Sequence, residues 1–269
     1  MWNTGSINTA RLEARRVIAP LVMFALCLVA VASAQVNTEA MRRADSSLGW
    51  HSDLSADAGL IAGNSNLVDL KGGLRFDYLA PSGHVFLVSQ YQRGLQDTAL
   101  FINKGFVHLR GVRYLRPGRA LEGFVQQEFN EFINLRSRSL VGGGLRLEFP
   151  SPADSTGGAL GLNLGIGLMW EREALTGEAK ETVTLLRSTN YVVLRWAVDD
   201  RLALSSTAYF QVDTGSLSDY RIIWEGGLSI TIFSRLALNL KINLRYDREP
   251  PGVIKPYDIE LTNGLSYSF

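Results

Sequence analysis

Three histidines, His51, His84 and His108, are the general-base candidates of this chain. A hydrolase needs such a base within hydrogen-bond reach of a nucleophile. His84 follows Pro81-Ser82-Gly83, which reads as a turn, and His51 opens a patterned segment. Only His108 falls near the middle of one, and no Gly-x-Ser-x-Gly elbow occurs. His and Cys are never clustered, so a metal centre is not expected. Gly142-Gly143-Gly144 and Gly157-Gly158 lack a following Lys-Ser/Thr pair, so they do not make a phosphate loop. They read instead as glycines that ease strand curvature or make room for large side chains. No cofactor and no catalytic residue is expected.

The ionic residues are more informative, because many fall at alternate positions. Lys71, Arg75, Lys104, Arg110, Arg136, Arg138, Arg146, Arg187, Arg195, Arg221, Lys241 and Arg245 share a face with acids. Those acids are Asp53, Asp57, Asp69, Asp77, Glu122, Glu128, Glu148, Glu225, Asp247, Asp258 and Glu260. Two arrangements compete. In the first, Lys104, Arg136, Arg138, Arg187 and Arg221 gather as a basic vestibule that attracts small anions. In the second, each meets an acid on the adjacent strand, such as Glu131 near Arg136 or Glu173 near Arg187. A lattice of ion pairs then fills the space. Near-equal numbers of the two signs favour the lattice.

The elements that carry these residues show a period of two. In a strand, successive side chains point to opposite faces. Tyr257, Ile259, Leu261, Leu265, Tyr267 and Phe269 alternate with Asp258, Glu260, Thr262, Gly264, Ser266 and Ser268. Leu236, Leu238, Leu240, Ile242, Leu244 and Tyr246 alternate in the same way with Asn239, Lys241, Asn243, Arg245 and Asp247. The pattern predicts twelve strands: 48–62, 67–79, 84–95, 101–116, 119–132, 136–149, 158–172, 185–198, 201–212, 220–233, 236–248 and 257–269. Proline cannot donate to a strand ladder. All seven prolines beyond residue 34 fall between these segments.

Segment length and polarity then select a fold class. Most segments are 12–16 residues long, against roughly five or six in soluble strands. A tilted membrane strand needs about 9–11. Pro117-Gly118, Asp199-Asp200 and Ser234-Arg235 are tight turns, whereas 173–184, 213–219 and 249–256 are longer connections. Trp50, Trp170, Trp196 and Trp224 lie near strand ends, where amphipathic rings prefer a membrane interface. The expected fold is all-β: a transmembrane antiparallel up-and-down barrel of about twelve strands, apolar outside and polar within. Closure matters because lipid offers no partner to an open strand edge.

The first 34 residues read as an address. Arg11, Arg15 and Arg16 precede the uncharged apolar run Val17–Val31, and Ala32-Ser33-Ala34 supplies a cleavage site. The run is shorter than the roughly 20 residues of a spanning helix. Cys27 follows Leu26 rather than a small residue, so a lipoprotein site is not expected. The expected organisation is a cleaved signal over 1–34, a short periplasmic segment over 35–47, and a barrel over 48–269. The mature part carries 24 basic and 25 acidic residues and no Cys. That excludes disulfides and makes a nucleic-acid partner unexpected.

Several stretches resemble one family. They are Gly49-Trp50, Gly63-Asn64-Ser65-Asn66, Arg136-Ser137-Arg138 with Gly142 and Gly144, Tyr246-Asp247-Arg248-Glu249-Pro250-Pro251-Gly252, Asp258 and the terminal Phe269. Together they are similar to the salt-induced outer membrane proteins (domain of unknown function 481), from Leu48 to the end. The resemblance implies a barrel in the outer membrane of a Gram-negative-type bacterium and brings no assigned chemistry. Thr262, Gly264, Tyr267 and Phe269 resemble the C-terminal insertion signal of such barrels. The expected partners are outer-membrane lipid, lipopolysaccharide and, through the last strand, the barrel-assembly machinery. A narrow passive channel for small polar or anionic solutes is the first functional expectation. A structural, envelope-maintaining barrel with a closed lumen is the second, and a lipid-modifying enzyme is the third.

Overall fold

The computed structural model describes residues 39, 42, 47–63, 66–97, 99–150, 158–176, 182–233, 235–250 and 255–267. The expected signal peptide, Gly157 and Phe269 lie outside them. Twelve strands follow in order: β1 Gly49–Ile61, β2 Leu67–Ala80, β3 Gly83–Gln96, β4 Ala99–Arg116, β5 Arg119–Asn130, β6 Leu135–Pro150, β7 Ala159–Leu175, β8 Thr182–Ala197, β9 Leu202–Asp213, β10 Tyr220–Phe233, β11 Leu236–Asp247 and β12 Tyr257–Tyr267. Among the described residues, antiparallel ladders join each strand to the next. This is the up-and-down order that the alternation predicts.

The two faces differ as the pattern requires. Val141, Leu145, Ile166, Leu168 and Trp170 on β6 and β7 are exposed on the convex side. Arg138, Arg146 and Glu171 on the same two strands are buried on the concave side. The register sets opposite charges directly across from each other: Asp53 faces Arg75, Glu128 faces Arg138, Arg221 faces Asp247 and Arg245 faces Asp258. Such pairs favour one register over its slips. The wall curls enough for Glu39 to bridge β4 and β9. It accepts from Arg110 and donates its own N–H to the Tyr209 hydroxyl. A small apolar cluster of Tyr191, Val193, Tyr209 and Ile223 also packs on the concave side.

Two details depart from the sequence expectation. β5 stops at Asn130, and Glu131–Ile133 form one 3₁₀ turn. The Asn130 side chain accepts from the Phe132 N–H, a local bond that competes with the ladder. Asn134 closes the turn at φ 59°. Pro150 is the last residue of β6 rather than part of a connection. A terminal position tolerates its missing N–H.

The turn between β8 and β9 is fastened by Asp199. Its carboxylate accepts from the backbone N–H groups of Arg201 and Leu202, both at 2.8 Å. These two bonds hold its pKa below the ordinary value of 3.8. A depressed carboxyl contributes stability above that ordinary value and loses it as pH falls through the lower, folded value. Asp199→Ala should therefore speed amide exchange at Arg201 and Leu202 at neutral pH. Unchanged exchange would assign the turn to its backbone alone.

Candidate functional site

The bore of β4–β10 holds two ionic clusters, one toward each end. The first lies where β5, β7 and β9 finish. Its centre is Glu171 on β7, only 1% exposed. One carboxylate oxygen accepts from Arg138 Nε at 2.7 Å and Arg221 Nη1 at 2.7 Å, and the other from Arg187 Nε at 2.6 Å. Each arginine then takes a further acid. Arg138 reaches Glu128 at 3.0 Å, Arg187 reaches Asp219 at 2.6 Å, and Arg221 reaches Asp247 at 2.8 Å. Glu173 approaches Arg221 at 3.3 Å. Three cations thus meet five carboxylates.

This arrangement sorts the five expected mouth residues. Arg138, Arg187 and Arg221 do converge, but as ion-paired groups rather than as a basic vestibule. Arg187 takes Glu171 and Asp219 in place of the expected Glu173. Arg136 is exposed. The bulge between Leu135 and Ser137 interrupts the alternation there, so Leu135 is buried instead. Lys104 is half-buried on β4, beside Gln92 and Asn130, and joins no described ion pair of this cluster. Thr262, Gly264 and Tyr267 lie on β12.

The second cluster lies toward the turns that follow β4, β6 and β8. Its centre is Glu39, which is fully buried and belongs to none of the strands. Arg110 Nη1 donates to one carboxylate oxygen at 2.6 Å, and Arg146 Nη1 donates to the other at 2.6 Å. Arg42 adds a third guanidinium at 2.9 Å. Arg195 donates to the Glu39 backbone carbonyl at 3.4 Å. Glu122 completes the ring, accepting from Arg42 at 2.6 Å and from the Tyr191 hydroxyl at 2.6 Å. Sequence reasoning missed Glu39. The segment around it has no periodicity, and its partners lie 71 and 107 residues away.

Between the clusters the bore is packed. His108 Nδ1 sits 2.9 Å from Gln126 Oε1, while Arg110 Nε donates to His108 Nε2 at 3.3 Å. The second contact requires Nε2 to be an acceptor, which places the proton on Nδ1. The ring stacks on Phe124 at 5.6 Å between centroids. His84 faces Asp77 at 2.8 Å, and His51 meets the Ser47 carbonyl at 2.9 Å. A cavity of about 30 Å³ touches His108, Met169, Thr189 and Ile223, and another of about 20 Å³ touches Gly144 and Tyr191. Each has room for about one water. Toward the sheet's ends the concave face is more open: Lys71 on β2 and Lys241 on β11 are about half exposed, at 53% and 49%.

The family model described as "Protein of unknown function, DUF481" matches residues 56–269. No curated protein matches the chain. A solved structure entitled "NanC porin structure in rhombohedral crystal form" is similar at 9% identity, with a TM-score of 0.45. The match covers 75% of this chain and 94% of that one.

Proposed function

We propose, from the premise that the chain belongs to the DUF481 family of proteins of unknown function, that it is an outer-membrane β-barrel whose resting bore is closed by ion pairs. Its role on this reading is to maintain the envelope rather than to pass solutes freely. The membrane setting is supported by the reversed polarity, with leucine, isoleucine and tryptophan outward and arginine and glutamate inward. Strands of 11 to 18 residues are long enough for a tilted crossing. Outer-membrane lipid and lipopolysaccharide are then the partners of the convex face. The barrel-assembly machinery would meet β12. No catalytic role is proposed for His108, whose ring nitrogens both engage neighbours in the bore wall.

The observation that carries the closed state is the burial of Arg138, Arg146 and Arg187, at 1–2% exposure, each against a carboxylate. Purified mature protein in planar bilayers should give no conductance steps over many insertions. Stable steps from the unmodified protein would overturn the closed bore.

A narrow passive channel is the second reading, favoured by the exposed polar face of β1, β2, β11 and β12. Asp53, Asp57, Asp69, Asp77, Asp247, Asp258 and Glu260 outnumber Lys71, Arg75, Lys241 and Arg245 on that face. Any current along it should therefore prefer cations, which reversal potentials in a salt gradient would measure. An anion preference would remove this route.

A further inference from the structure

The wall of the second cluster presents a receptor whose occupant comes from elsewhere in the chain. Arg110 on β4 and Arg146 on β6 are held by strands, with side chains only 4% and 2% exposed. Each donates to a different oxygen of the Glu39 carboxylate, both at 2.6 Å. A two-oxygen grip of this kind matches a planar carboxylate better than a spherical anion. The Tyr209 hydroxyl, from β9, takes the Glu39 backbone N–H at 3.1 Å and fixes the third side. Without Glu39 and its neighbour Arg42, the wall keeps Arg110, Arg146 and Arg195 against Glu122 and Glu148. It is then net positive by one charge. Arg110 and Arg146 keep Glu122 and Glu148 beside them but lose the one carboxylate that both grip, a loss that another anion in its place would offset.

We propose that Arg110 and Arg146 form a carboxylate-binding site in the bore, occupied at rest by Glu39 and open to a small free carboxylate when Glu39 is absent. The site goes beyond the closed-bore reading and does not depend on whether the bore conducts. Its ligand class is the monocarboxylate, small enough to enter the space that the Glu39 side chain fills.

The test uses full-length mature protein in detergent micelles, with sodium acetate as the probe and sodium chloride at equal ionic strength as the control. Glu39→Ala, which removes the CH2-carboxylate and so vacates the space, should melt below wild type in chloride. Acetate at ten times its dissociation constant should raise its melting temperature by about 3–5 °C. Wild type, already occupied, should respond no more to acetate than to chloride. A triple variant, Glu39→Ala with Arg110→Gln and Arg146→Gln, should lose the acetate response. If Glu39→Ala fails to fold in chloride but folds in acetate, the site is supported; failure in both overturns it. An equal acetate effect on wild type and Glu39→Ala, or an effect kept by the triple variant, also overturns it. Conductance of the unmodified protein would count against the closed bore and leave this result standing.

Discussion

Glu171→Gln is expected to destabilise the folded protein by roughly 3–5 kcal/mol, the usual cost of removing one partner from a buried ion pair. The substitution keeps the shape, deletes the charge and turns one acceptor oxygen into an NH2 donor facing an arginine. Arg138, Arg187 and Arg221 would then lose the anion that all three share. Those arginines stand on β6, β8 and β10, so one amide would weaken the attachment of three strands. The first two are at most 2% exposed, so water cannot replace the missing carboxylate. Urea unfolding followed by tryptophan fluorescence in micelles reads the change. Glu131→Gln, at an exposed position in the 3₁₀ turn, is the control and should shift stability by less than about 0.5 kcal/mol. Equal effects of the two substitutions would mean that Glu171 is not the keystone of the cluster. Raised salt should not rescue Glu171→Gln, because screening acts weakly on buried charges.

The next largest effect is expected at the glycines where β6 and β7 meet. A Cβ at Gly144 would lie 2.2 Å from the Ile166 carbonyl oxygen and 2.6 Å from the Gly167 Cα. A Cβ at Gly165 would lie 2.0 Å from the Tyr191 ring. Both glycines face the concave side, where curvature drives side chains together. Backbone blocks the first position and a buried ring the second, so neither can absorb a methyl group cheaply. Gly144→Ala should cost roughly 1–3 kcal/mol through overpacking. Gly144→Val should cost more and deplete the compact, heat-modifiable band on semi-native electrophoresis. Gly72→Ala is the comparison, since a Cβ there meets nothing within 4 Å. A full folded band for Gly144→Val would show that the two strands can spread apart without penalty.

Why some of this was legible in the sequence and some was not follows from the range of each interaction. Strands are written locally: the run from Leu236 to Tyr246 alternates without error and forms β11 as read. Where a short-range bond competes, the alternation misleads, as at Asn130, whose side chain ends β5 two residues early. Arg136 and Arg138 share a parity and yet part company, because a bulge changes the phase between them. No periodic pattern announces a bulge. The choice of Glu171 over Glu173 by Arg187 depends on register and side-chain lean. Alternation is blind to both, since it assigns a face without an axial position. Glu39 is the extreme case: a single acid in an unpatterned stretch, held by groups that four distant strands bring together and by Arg42 nearby.

The ladders link neighbours, so each strand can be laid down on the one before it. The grip of Tyr209 on the Glu39 backbone is of another kind, spanning 170 residues. It cannot form until β9 has been delivered, however early the N-terminal part is made. A seated Glu39 is therefore a marker for biogenesis: any partly assembled species that holds it already has the stretch of wall from β4 to β9 in place.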